Sequence, residues 1–416
     1  MTNFKKLYGK LMSDSLYKNS IYLMLSTGIM SVFGFIAWTI VSKLYTAEQV
    51  GLATTIISVM GLITSFGLLG LGSGLIRFLP TSERKNDKIN TIFTLASLIT
   101  IIVTVIFLLG LKGFSPSLLI IKKNIFYSLI FIIFMVFSTL SSLIDSVFLA
   151  YRSAKYILLK NSIFSVLKLV FPFFLVFLGA YGIFGSWMLS IIIGFIIVFL
   201  ILIYKFNYRP KFVFYDSIIG RMGKYSFGIY LSGFIGALPV LLLPLMITNL
   251  HNAEFTAYYY MAMMIANVLF VIPQATTSSL FAEGSYNQKK LKEQTKKAIK
   301  IISWLLIPAI IITILTGKYV LLFFGHAYSE QGFRLLQILA ISGIFVAFNA
   351  IYSSIFQVKK RIKKLIWTNL IGTAILIPLF YLLIKNNFSL TNIGLAWTTE
   401  QILTIIIFTI MMRYKK

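Results

Sequence analysis

Few residues in this 416-residue chain are equipped for chemistry, and those few sit in unusual places. It holds 38 lysines and arginines against 11 aspartates and glutamates, with two histidines and no cysteine. Without cysteine there are no disulfides, no CxxC metal sites and no thiol nucleophile. The histidines, His251 and His326, fall in short loops, and no HExxH, Walker A, GxSxG or metal-spaced cluster is present. The sequence thus offers no catalytic residues, no metal ligands, no cofactor and no nucleotide site from which ATP could power work. The informative ionisable residues are those inside apolar runs, where a charge costs ~2.5–3.5 kcal/mol or more at the bilayer centre. Lys168 lies near the middle of one run, and Glu400 lies at similar depth in another. Asp145 and Arg152 stand toward the end of a third, and Arg77 closes a fourth. Two readings are open. Buried Lys168–Glu400 or Asp145–Arg152 pairs would hold helices together. Alternatively, Lys168, helped by Arg77 or Arg152, would bind an anionic group in a hydrated cavity. A diphosphate is the natural partner, because charge-assisted hydrogen bonds to it are strong. Glu400 or Asp145 would then carry a coupling proton or Na⁺.

The elements that position these residues are apolar helices. The chain is 58% hydrophobic and 12% charged, with a mean hydropathy of +0.91. Runs of about twenty apolar residues recur throughout, enough at ~1.5 Å per residue to cross ~30 Å of hydrocarbon. Hydropathy predicts an all-α, multi-pass membrane protein of about twelve spans, at roughly 20–42, 50–78, 90–111, 124–151, 157–178, 183–205, 221–248, 256–281, 298–316, 331–357, 365–384 and 391–413. The first run has spanning length and no A-x-A-like exit, so it reads as a retained helix and not a cleaved leader.

The cations test that count. With both termini and the even-numbered loops placed in the cytoplasm, only Lys43, Lys112, Lys122, Lys123, Lys318, Arg334 and Lys385 fall outside. Lys168 alone is mid-span, and all the other lysines and arginines, Lys160 among them, fall inside. A missed or extra span would scramble this alternation, so the positive-inside rule supports twelve spans with both termini cytoplasmic; the expected location is the cytoplasmic (inner) membrane. The net charge of +27 is spread over these short loops, where it meets anionic lipid headgroups. No basic soluble module exists to bind nucleic acid.

The halves overlay. Ala47-Glu48 meets Ala253-Glu254 at an offset of 206, and Ser146, Phe148 and Asn161 meet Ser354, Phe356 and Asn369 at 208. Ile183 and Trp187 meet Ile393 and Trp397 at 210. Two parallel six-span lobes follow, 1–208 and 209–416, divided in the basic stretch Lys205–Lys224. Gly67, Gly70, Gly72 and Gly74 crowd the second span, where small residues allow close packing or a hinge. Pro172, Pro239, Pro244, Pro273, Pro308 and Pro378 interrupt five spans, each removing a backbone donor. Tyr258, Tyr259 and Tyr260 open the eighth span and are expected at the membrane interface. Tyr225 and Tyr230 begin the seventh, where they would anchor at the interface or stack on sugars.

Some of these segments carry a family resemblance. Glu48-Gln49-Val50-Gly51-Leu52 leads into a Gly-rich span ending Gly74-Leu75-Ile76-Arg77-Phe78-Leu79-Pro80. The lobe junction reads Gly223-Lys224-Tyr225-Ser226-Phe227-Gly228-Ile229-Tyr230, followed by the Ala253-Glu254 loop. Together they resemble the Wzx-type polysaccharide flippases of the multidrug/oligosaccharidyl-lipid/polysaccharide exporter (MOP) superfamily, over essentially the whole chain. The resemblance implies a twelve-helix, V-shaped protein that turns a polyprenyl-diphosphate-linked oligosaccharide from the cytoplasmic to the outer leaflet. It implies a basic cavity, for which this sequence offers Lys168, Arg77 and Arg152. The implied partners are the lipid-linked oligosaccharide, membrane lipids, H⁺ or Na⁺, and polysaccharide polymerase machinery. Two other functions compete. A cation-coupled multidrug exporter of the same superfamily would need Glu400 or Asp145 as its buried carboxylate. A membrane polysaccharide polymerase or ligase would need a sizeable outer loop, and no outer loop here is long enough.

Overall fold

The computed structural model describes residues 15–213, 215–286, 288–386 and 388–413, with side chains at 15–17, 216–226, 228, 229, 232, 282, 362 and 413 outside the described set. Lys5, Lys6, Lys10, Lys415 and Lys416, and the side chains of Lys224 and Tyr225, lie outside it as well. The described residues are almost all helical and include no strand. The helices are α1 (Ser15–Leu44), α2 (Ala47–Leu68), α3 (Leu71–Phe78), α4 (Lys85–Phe114), α5 (Ile125–Ala150), α6 (Lys155–Phe174) and α7 (Ala180–Phe206). They continue as α8 (Asp216–Leu250), α9 (Ala253–Tyr286), α10 (Leu291–Leu322), α11 (His326–Val358), α12 (Ile362–Asn386) and α13 (Leu390–Arg413). Twelve are long and apolar enough to cross a membrane.

The number of spans follows the hydropathy, but most run longer at their ends than expected. A helix keeps its hydrogen bonds past the hydrocarbon, so its polar last turns carry no hydropathy signal. Lys160, counted with the loop cations although the expected span begins at 157, lies within α6, which begins at Lys155. The second span differs in another way. It breaks at Leu69 and Gly70, whose φ values are 41° and 75°, and α3 restarts with Gly74 N–H donating to the Gly70 carbonyl. Gly70 takes the left-handed backbone without the Cβ penalty that a side chain would bring. Gly67 and Gly72 serve packing instead. A Cβ on Gly67 would come within 2.1 Å of Thr100 Oγ1, and one on Gly72 within 2.6 Å of Ser146 Oγ.

The chain forms two compact units, Met1–Tyr45 with Ile56–Tyr230, and Thr46–Thr55 with Leu231–Lys416. In the first, α6 packs on α1 and α7, while α3, α4 and α7 each pack on α5. In the second, α11 is the hub, packed against α9, α10, α12 and α13. Small residues admit these approaches, as lipid solvates apolar side chains too well to drive them together. Gly343 on α11 faces Phe270 and Leu306, and Gly394 on α13 faces Leu335 and Ile338. The first turns of α2 belong to the second unit, where a Cβ on Gly51 would fall 1.6 Å from the Ala253 carbonyl oxygen. Thr55 and Thr248 hydroxyls meet there at 2.6 Å, and Thr248 and Thr256 at 2.8 Å, all three residues buried.

Many span hydroxyls are satisfied locally, although Ser165 Oγ and the Tyr259 and Tyr328 hydroxyls are buried without a partner among the described residues. Thr104, Ser186 and Ser190 each donate to the carbonyl four residues back, as polar groups in hydrocarbon must find partners within the protein. The repeat appears in the backbone too. After α5, Arg152 has φ 52° and Ser153 N–H donates to the Phe148 carbonyl. After α11, Lys360 has φ 56° and Arg361 N–H donates to the Phe356 carbonyl. Both are Schellman-type ends, at the offset of 208 already visible between Phe148 and Phe356. The starts repeat as well. Thr46 and Gln49 form a capping box on α2, and Asn252, at offset 206, caps α9 through Phe255 N–H. One expectation fails: Tyr258 and Tyr259 are each 3% exposed, buried in helix packing and not at an interface. Tyr258 donates to Glu254 and stands edge-on to Tyr328. A helix opening carries aromatic residues into a bundle as readily as toward headgroups, and residue type alone does not distinguish the two.

Candidate functional site

Lys168 lies thirteen residues beyond the start of α6, roughly 20 Å along the axis at ~1.5 Å per residue. It is 4% exposed. Its ammonium sits 4.7 Å from the Phe164 ring centroid and 5.4 Å from that of Trp187, so two π faces stabilise the charge. Gly34 on α1 makes room: a Cβ there would stand 3.7 Å from Lys168 Nζ. Trp38 on α1 and Trp187 on α7 pack at 5.8 Å and complete the aromatic wall. Between them lies a cavity of about 10 Å³ lined by Trp38, Val41, Lys168, Pro172, Ser186 and Trp187, about the room one water occupies. Tyr45, just beyond α1, donates from its hydroxyl to the Pro172 carbonyl at 2.8 Å. Burial pushes that phenol up to about 12, so it stays a donor. Among the described residues, Lys168 Nζ pairs with no carboxylate.

Asp145 does not pair with Arg152. Its Oδ2 accepts Lys160 Nζ at 2.7 Å, and Lys160 also donates to the Ser141 carbonyl at 2.8 Å and to Ser141 Oγ at 3.0 Å. Asp145 Oδ1 is buried with no partner. Gly194 on α7 closes over this pair, since a Cβ there would lie 3.3 Å from Lys160 Cγ. Lys160 on α6, its side chain 8% exposed, and Asp145 on α5, 29% exposed, are therefore an interhelical tie. Lys160 was passed over because it stands within a turn of the expected span's start at 157 and was counted with the loop cations. Its spacing to Lys168, two helical turns along one face, is the signal that was available.

The two arginines stand elsewhere. Arg77, in the last turn of α3, is exposed with its guanidinium 5.4 Å from the Phe78 ring centroid. Arg152 is exposed at the left-handed cap before α6, so more than three turns of α6 separate it from Lys168. Neither contributes to the aromatic pocket around Lys168.

Glu400 on α13 is half-buried in the second unit. It accepts from Thr404 Oγ1 at 2.8 Å and from Gln401 Nε2 at 2.7 Å. Asn349 on α11 continues the chain, donating to Gln401 Oε1 at 2.7 Å. Gly372 on α12 opens space, since a Cβ there would come within 2.7 Å of Glu400 Oε1. Among the described residues no cation pairs with Glu400, which distinguishes it from Asp145. Gln401 and Asn349 were not singled out from the sequence. Amides at these positions look like ordinary helix polar residues until the helices are assembled.

Twelve spans, with a buried lysine in one unit and a half-buried glutamate in the other, define a polytopic membrane protein. The fold matches an inward-facing multidrug resistance MATE family transporter of the MOP superfamily, with a TM-score of 0.69 and 16% identity over 96% of this chain and 100% of that one. It also matches the lipid II flippase MurJ in an inward closed conformation, with a TM-score of 0.74 and 12% identity over 94% of this chain and 87% of that one. A putative O-antigen transporter of Shigella flexneri is 28% identical over 163 residues, 38% of this chain and 38% of that protein. The profile of the polysaccharide biosynthesis protein family matches residues 16–284. The chain belongs to that family.

Proposed function

We propose that this protein flips a polyprenyl-diphosphate-linked oligosaccharide from the cytoplasmic to the outer leaflet of the inner membrane. A sugar diphosphate cannot cross hydrocarbon unaided, so a flippase must offer it a polar path while the lipid tail stays in the bilayer. The observation that carries this reading is Lys168: a buried ammonium within a span, with aromatic walls and no carboxylate partner among the described residues. A buried cation without a counter-ion is costly unless something anionic arrives to compensate it. The family relation to polysaccharide biosynthesis supports a lipid-linked saccharide diphosphate as that anion. Arg77 and Arg152, exposed at helix ends, would draw the diphosphate in from the basic side of the membrane. Glu400 would carry a coupling proton or Na⁺, because Lys160 already occupies Asp145. Polysaccharide polymerase machinery would take the product on the outer side, both termini remaining cytoplasmic.

The second reading is cation-coupled drug export. Glu400, which lacks a cationic partner among the described residues, and the likeness to a MATE transporter favour it. Binding separates the two. Protein in nanodiscs should bind a short-chain prenyl-diphosphate saccharide, and Lys168→Met should weaken that binding about 10- to 100-fold. That range corresponds to the ~1.5–3 kcal/mol of a charged hydrogen bond. Unchanged affinity in Lys168→Met, or tight binding only of a cationic dye, would refute the flippase reading.

A further inference from the structure

The first unit carries a second candidate binding site, away from Lys168. Helices α4 and α7 both pack on α5, and between them an apolar cleft of about 420 Å³ opens, within the ~300–1,000 Å³ of ordinary ligand sites. Its walls are aromatic. Phe137 and Phe195 meet edge-to-face at 5.6 Å, Phe195 and Phe199 stack at 5.3 Å, and Phe199 meets Tyr208 edge-on at 5.8 Å.

One end of the cleft is closed by the chain that leaves α7. Asn90 near the start of α4 holds that chain by three bonds. Its Nδ2 donates to the Arg209 carbonyl at 2.9 Å, and its Oδ1 accepts from Tyr208 hydroxyl at 2.5 Å and from Lys211 N–H at 3.1 Å. Asn90 is 2% exposed, so the strap is anchored from within. It leaves Arg209 and Lys211 exposed at the mouth, with Phe212 beside them 97% exposed. The two segments meeting there, 81–90 and 204–212, carry Arg84, Lys85, Lys88, Lys205, Arg209 and Lys211 against Glu83 and Asp87. An aromatic cleft at membrane depth under a net positive rim matches the two ends of one molecule.

We propose that this cleft is a site for an anionic phospholipid of the surrounding bilayer, one acyl chain lying between α4 and α7 and the phosphate held by Arg209 and Lys211. Basic pockets between membrane helices bind anionic headgroups in this way. The volume suits a single acyl chain and is too small for a long polyprenyl tail. Phe212 enters the headgroup layer beside the bound lipid.

Native mass spectrometry of the protein, purified from mixed phosphatidylglycerol and phosphatidylethanolamine, tests this. The wild type should retain about one phosphatidylglycerol per chain through detergent exchange. Ser97→Leu, which fills the cleft, and the Arg209→Gln/Lys211→Gln double variant should each lower that occupancy at least fivefold. Both changes lie on exposed or half-exposed positions, and a third variant, Lys385→Gln, controls for net charge outside the cleft and should leave occupancy unchanged. Equal retention by wild type and both cleft variants would overturn the proposal. So would equal retention of phosphatidylethanolamine, or loss of the lipid only when a polyprenyl phosphate is supplied.

Discussion

The Asp145–Lys160 tie yields the most quantitative expectation. Lys160 has a side chain 8% exposed and is bonded to Asp145 Oδ2 at 2.7 Å and twice to Ser141. In Asp145→Asn the shape is kept, but the ammonium loses its counter-charge at a buried position. Removing one partner of a buried pair costs ~3–5 kcal/mol. Asp145 is 29% exposed and the two bonds to Ser141 survive, so at most the lower end, about 3 kcal/mol, applies. At ~2–4 °C per kcal/mol for a unit of about 200 residues, the melting temperature should fall by roughly 6–12 °C. The double variant Asp145→Asn/Lys160→Met removes both charges, and exchanging a buried pair for apolar groups is close to neutral. It should recover most of the loss. Fluorescence-detected thermal unfolding in nanodiscs reads all three proteins. The functional corollary is that the double variant keeps transport, because the pair holds helices and carries no coupling ion. A single variant as stable as the wild type would refute the reasoning, as would a double variant no better than the single one.

Other expectations follow from the same geometry. Glu400→Gln should keep the fold and abolish the pH or Na⁺ dependence of transport in vesicles; an unchanged response would remove Glu400 from coupling. Gly51→Ala would drive a methyl into the Ala253 carbonyl and should cost about 1–3 kcal/mol, read as lower thermal stability, whereas Gly28→Ala, with nothing near it, should be neutral. His251, between α8 and α9, stacks on Phe388 at 3.8 Å, and desolvation lowers its proton affinity below the ordinary 6.5. The unfolded chain binds that proton first, so the stability it contributes is complete above about pH 6.5 and declines as pH falls below it. Phe388→Leu should move the His251 titration, followed by NMR, back toward 6.5.

The fold was legible because lipid imposes one demand, that each crossing be a long apolar helix with its polar groups satisfied inside. That demand shows in hydropathy, and lysine placement follows the same boundary. Helix ends were not legible, since backbone bonding continues after hydropathy ends; Lys160, within a turn of the expected start at 157, was grouped with the loop cations. The break at Leu69–Gly70 was half visible, glycine marking where a helix can turn but not whether it does. Lys168 and Glu400 stood out because charge within an apolar run is conspicuous. Their surroundings did not: the rings of Trp38 and Trp187, or the amides of Gln401 and Asn349, acquire meaning only when separate helices bring them together. Tyr258 and Tyr259 misled because an amphipathic ring is equally at home in a helix interface and at a headgroup.

Flipping in proteoliposomes tests the central claim most directly. Wild-type protein, reconstituted with a fluorescent polyprenyl-diphosphate oligosaccharide on the inner leaflet, should expose the sugar to an external glycosidase, and Lys168→Ala at equal protein level should not. Equal exposure by both proteins, or none by either while a cationic dye is exported, would contradict it.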